Sequence, residues 1–104
     1  MRARADSEFM TISREATIRR APNVRLTRTG GEGVLVDEHR GSVHVVNGAA
    51  VRVWELCSDE IAFDDLVEAM ARDYEVDDAL LRGDLEDVLE TLDGLGLVTV
   101  SAFA

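Results

Sequence analysis

The hydrophobic pattern of this 104-residue chain changes period once, at Asn47, and that change sets the class of fold. Before Asn47 the signal is β-like. Val24, Leu26 and Arg28 alternate with Arg25 and Thr27, Val34-Leu35-Val36 form a short apolar run, and Ser42 to Val46 is rich in β-branched residues. After Asn47 the apolar residues recur every three or four positions. They read Ala50, Val53, Trp54 and Cys57, then Leu66, Val67, Met70 and Tyr74, then Leu81, Leu85, Val88, Leu92 and Leu95. Alternation sends side chains to the two faces of a strand, whereas the longer spacing builds one stripe along a helix. The order is three strands followed by three helices: an α+β domain with helices on one side of a small antiparallel sheet.

The connections agree with that reading. Gly30, Gly31 and Gly33 mark a turn, and Asp37 to Gly41 is a polar hairpin loop. Loops this short join neighbouring antiparallel strands, so the three strands form a meander. Asn47 is a good helix N-cap, because its side-chain oxygen can accept a free backbone N–H. Helices are predicted over 48–57, 64–74 and 78–93. Asp64 and Asp65 favour the start of the second, Asp77 caps the third, and Gly94 and Gly96 end it. Leu97 to Val100 reads as a short terminal strand or an extended tail. Residues 1–20 show no clear period and are predicted to form a flexible arm, with the ordered domain over 21–100 and opening at Pro22.

Charge is unevenly placed. Residues 1–52 hold nine arginines against six acids, and residues 53–104 hold two arginines against fifteen acids. An acidic half repels phosphate backbones, which argues against nucleic acid as a partner. No apolar run approaches the roughly 20 residues needed to cross a bilayer, so no membrane association is expected. The first ten residues lack the apolar core of a secretory signal. One cysteine, Cys57, excludes an intrachain disulfide and suits a reducing cytoplasm.

No catalytic set emerges from the residues. His39 and His44 lie near Asp37 and Glu38, but their spacing matches no closed four-ligand zinc site, and no metal or other cofactor is expected. Cys57 falls on the inward face of a helix, where a thiol behaves as a small hydrophobe. Ser42 and Ser58 lack a nucleophile-elbow context. The Gly30-Gly31-Glu32-Gly33 turn lacks the Lys-Ser/Thr ending of a phosphate-binding loop and no helix follows it. The chain reads as a non-enzyme.

What the pattern leaves is a binding surface. A three-stranded meander has two edges, and its last strand can accept an added peptide strand through free N–H and C=O groups. Ser42, His44 and Val46 face one side of that strand, Val43 and Val45 the other. Leu89 falls about 80° from the centre of the third helix's stripe at about 100° per residue. Arg82 and Glu86 share that flank: either Leu89 widens the core stripe, or the three form an apolar wall with polar ends beside the strand.

Taken together, several segments resemble the PqqD family. Val45-Val46-Asn47-Gly48 followed by Val53-Trp54-Glu55-Leu56 is similar to its "LN…IWxL" signature. Ala21-Pro22-Asn23-Val24 looks like its opening. Ile61, Phe63, Asp65-Leu66-Val67, Tyr74, Asp84 to Leu89, and Leu92 to Val98 follow its later blocks in order. The chain departs from the pattern at Ala62, where a Ser or Thr helix cap is usual, at Val46 in place of Leu, and at His44 or a neighbour in place of an aromatic.

The resemblance implies a winged-helix-like domain that binds the leader of a ribosomally made precursor peptide as an extra strand. It would present the peptide to a modifying enzyme, such as a radical SAM enzyme, a leader protease or a cyclase. The leader would pair with Ser42, Val43, His44, Val45 and Val46 and pack on Leu85 and Leu89, with Arg82 meeting a leader carboxylate and Glu86 beside it. Two other readings compete: a winged-helix DNA-binding regulator, and an assembly subunit without a peptide ligand. A recognition helix should be basic on its exposed face, and Asp84, Glu86, Asp87, Glu90 and Asp93 oppose the first.

Overall fold

A computed structural model of the chain describes residue 12 and residues 15–101. Its elements run β1 (Thr17–Arg20), β2 (Val24–Thr29), β3 (Glu32–Asp37), β4 (Ser42–Val46), α1 (Gly48–Leu56), β5 (Ile61–Ala62), α2 (Phe63–Tyr74), α3 (Asp78–Gly94) and β6 (Val98–Ser101). The predicted meander is present as the antiparallel sheet β2-β3-β4, and the three predicted helices follow it. A second antiparallel sheet, ordered β5-β1-β6, was not foreseen.

That second sheet corrects the expected arm. Thr17–Arg20 is a central strand, pairing with Ile61–Ala62 on one side and Val98–Ser101 on the other. Ile18 has no exposed surface, and Ala16 beside it accepts a hydrogen bond from the Phe63 backbone N–H at 2.8 Å. One buried isoleucine in a four-residue strand leaves no readable alternation, so its remote partners define it. The rest of the predicted arm, residues 1–11, 13 and 14, lies outside the described residues.

Local chemistry accounts for the helix ends. The Asn47 side chain accepts from Ala50 N at 2.9 Å, and Asp77 accepts from Leu80 N at 3.3 Å. At the end of α3, Leu97 N–H reaches Leu92 O and Gly96 N–H reaches Asp93 O, a Schellman closure with Gly96 at φ +77°. Gly94 therefore stays helical, and Gly96 is the stop. Gly33 serves packing instead: a Cβ there would lie 2.5 Å from a Val51 methyl, so glycine lets α1 lie close on β3.

α2 starts without a side-chain cap. Ala62 occupies the cap position in extended backbone, φ −71° and ψ 145°, and offers no oxygen. Ala62→Ser should therefore raise stability by about 0.5–1 kcal/mol. A urea titration reads this directly, and an unmoved midpoint would mean that water already satisfies the free N–H groups.

The core joins both sheets to the helices. Leu35, Val53, Phe63, Leu66, Met70, Leu89, Leu92 and Leu97 are fully or almost fully buried in it. Cys57 sits there too, and burial pushes its thiol up to about 12. At neutral pH it is a neutral thiol, unsuited to nucleophilic chemistry.

Candidate functional site

Among the described residues β4 ends its sheet, and the β2–β3 turn determines which of its groups are free. Thr29 pairs with Glu32 across a two-residue Gly30-Gly31 loop, with Gly30 at φ +63°. That is a type II′ hairpin, whose closing pair is hydrogen-bonded. Main-chain direction then alternates along β3. Glu32, Val34 and Val36 bond to β2, whereas Gly33, Leu35 and Asp37 bond to β4 at Val46, His44 and Ser42. The N–H and C=O groups of Val43 and Val45 are left pointing out of the sheet edge.

The side chains follow the same alternation. Val43 and Val45 are 62% and 66% exposed on the outer face, while Ser42, His44 and Val46 are half-buried on the helix side. His44 Nε2 lies 3.3 Å from Ser42 Oγ. β4 thus presents free backbone at its edge, two valines on its outer face, and Ser42, His44 and Val46 on the helix side.

The chain at either end of this strand connects it with the end of α3 and with a groove along that helix. At the hairpin tip the Arg40 guanidinium rests on Gly96, just past the end of α3; a Cβ there would lie 2.8 Å from Arg40 Nη1. At the other end β4 passes through Asn47 into α1, whose Ala49 and Val53 line a groove of about 240 Å³. α2 contributes Met70 and Tyr74 to that groove, and Val76 precedes α3. Leu80, Leu81, Asp84, Leu85 and Val88 of α3 form its long wall. Tyr74, Val76 and Leu80 are 48%, 41% and 65% exposed, an unusual apolar rim for a small domain.

Part of the wall predicted from sequence needs correction. Leu85 lines the groove, but Leu89 has no exposed surface and belongs to the core. Arg82 and Glu86 share its flank, turned away from the groove. Arg82 donates to Asp64 Oδ1 at 2.7 Å and lies over the Phe63 ring, so its charge is already engaged. Glu86 accepts from the Ile12 backbone N–H at 3.3 Å. The reason is the unforeseen second sheet: β6 packs on α3, and the chain entering β1 passes over Glu86. The exposed wall is Leu80 and Asp84 instead, which a helical wheel centred on the buried stripe places on its opposite shoulder, with Val88 partly buried between them and the core.

Among the described residues no group of His, Cys, Asp and Glu could hold a metal ion. His39 and Arg40 give their backbone N–H groups to the buried Asp37 carboxylate, which organises the hairpin loop. The exposed face of α3 carries Asp84, Asp87, Glu90 and Asp93, the wrong sign for a DNA-reading helix. No helix among the described residues is long and apolar enough to cross a membrane.

The described residues thus form a small α+β domain with one free strand edge and one apolar groove. The chain belongs to the PqqD family, described as coenzyme PQQ synthesis protein D, which matches residues 32–98. Two solved structures share the fold. One is TbiB1 in complex with the TbiA(beta) leader peptide, at a TM-score of 0.70 and 24% identity, covering 81% of this chain and 98% of that one. The other is lasso peptide synthetase B1 complexed with the leader peptide, at 0.66 and 21%, covering 79% and 96%. A search of curated proteins gives no match.

Proposed function

We propose that this protein is a non-catalytic recognition domain that binds the leader segment of a ribosomally synthesised precursor peptide. The leader adds as a strand along Ser42–Val46, bonding to the free main-chain groups of Val43 and Val45. Its alternate side chains turn toward α3 and enter the groove over Leu81, Leu85 and Val88. The observation that carries this reading is a free β4 edge in the same small domain as an apolar groove along α3, because main-chain pairing supplies affinity and a side-chain pocket supplies selectivity. Family membership supports it, as do the leader peptides bound to both structural neighbours.

The domain holds the peptide while a separate enzyme, such as a radical SAM enzyme, a leader protease or a cyclase, acts on the segment beyond the leader. Ribosomal synthesis of the substrate places this step in the cytoplasm. The test is fluorescence anisotropy with a labelled leader from a precursor encoded beside this protein. Saturable binding of the leader and none of the core segment is expected. Preference for the core segment, or for duplex DNA in a parallel titration, would overturn the reading.

A further inference from the structure

The groove has an apolar floor and an acidic rim with no base to balance it. Asp84 lines the groove wall from an exposed position on α3. Glu75 stands between the rim residues Tyr74 and Val76, held outward by left-handed backbone at φ 54°. Asp78 follows two residues after Val76, in the first turn of α3. All three are exposed, and none makes an ion pair among the described residues.

The nearby bases are committed or turned away. Arg52 is bound to Asp73 at 2.8 Å, and Arg82 to Asp64 at 2.7 Å on the other flank of α3. Arg72 lies about 160° around α2 from Tyr74. Asp77 is used in capping α3.

We infer that the groove selects leader segments in which an apolar side chain is flanked by lysine or arginine. This rests on the leader-binding reading and adds the charge of the ligand to it. The apolar side chain fills the space above Leu81 and Leu85. The flanking cations sit at the rim, where Asp84 and Glu75 neutralise them in partly exposed pairs. A leader with glutamate at those positions meets like charges that nothing nearby offsets, which lowers its affinity as the cation raises that of the other. Each exposed pair contributes about two- to fivefold, and the effect weakens with salt.

The experiment selects ligands for the full chain from a displayed library of random peptides. Wild type is compared with Asp84→Lys and with Glu68→Lys, which makes the same change in net charge on the exposed face of α2 away from the groove. Expected are wild-type ligands with an apolar or aromatic residue next to lysine or arginine. Asp84→Lys should move the flanking preference toward aspartate and glutamate, and Glu68→Lys should leave it unchanged. Matched synthetic peptides differing only in lysine against glutamate should then differ about fivefold or more in affinity, with the gap closing at high salt.

Apolar ligands without a basic preference would overturn the inference and leave leader binding standing. An equal shift with Glu68→Lys would also overturn it, by assigning the preference to net charge. A wild-type chain that enriches no peptide would overturn leader binding and this inference together. Circular dichroism of the two variants confirms that each is folded before selection.

Discussion

Trp54→Ala is expected to destabilise the protein by about 3–5 kcal/mol, a large share of the total stability of a domain this small. Trp54 is 3% exposed on the inner face of α1, so its loss leaves a cavity that the packed core fills only in part. The indole also makes two specific contacts. Its Nε1–H donates to Leu97 O at 3.3 Å, tying α1 to the chain just before β6. The Arg20 guanidinium lies 4.0 Å above the ring while its Nε donates to Trp54 O at the end of α1. Alanine removes one of two donors to the Leu97 carbonyl, which keeps the Ala21 N–H at 3.0 Å, and takes the ring face from beneath Arg20. Trp54→Phe keeps most of the volume and loses chiefly the hydrogen bond, which puts its cost nearer about 1–3 kcal/mol. Urea denaturation of both variants separates the contributions. Equal midpoints for the two would show that the indole N–H, and not volume, dominates.

Val45→Pro is expected to weaken leader binding by about tenfold to a hundredfold without unfolding the sheet. The Val45 N–H points out of the edge, so proline removes a donor that only an added strand uses, and its ring obstructs the approach. Losing one or two net hydrogen bonds, at about 0.5–1.5 kcal/mol each, accounts for that range. His44 before it is already in extended backbone, the conformation a residue preceding proline prefers. His44→Pro makes the contrast, because its N–H bonds to Leu35 across the ladder, and it should lose both folding and binding. Val45→Thr keeps the N–H and the β-branch and should bind as wild type. Undiminished binding to folded Val45→Pro would rule out strand addition at this edge.

The parts of the fold specified locally were legible in the sequence. The meander and the three helices each carry their own period, and Asn47 and Asp77 cap as their chemistry demands. Ala62 marked a missing cap, and the structure has none there. β1 and β5 were not legible because each holds only one or two inward apolar residues and gains its identity from pairing with chain far away. The misassignment of Leu89 follows from the same gap. A wheel shows how wide a helix's apolar face is, but which shoulder is covered depends on neighbours, and β6 covers the Leu89 side. The β4 edge was readable from strand order. The groove was not, since Tyr74, Val76, Leu80 and Ala49 come together only where three helix ends converge.

The β1–β6 pairing also governs how the chain can fold. Thr17 Oγ1 meets Ser101 Oγ at 3.1 Å across 84 positions of sequence, and Ile18 faces Val100 between the same strands. Contacts this remote form only after most of the intervening chain has been ordered, because closing so long a loop costs entropy before any contact is made. The β2-β3-β4 hairpins and the helices carry short-range contacts and assemble early. On the ribosome, β1 emerges before the other described strands and waits longest: it stays without its β6 partner until Ser101 has left the exit tunnel, so the earliest of these strands is among the last to be secured.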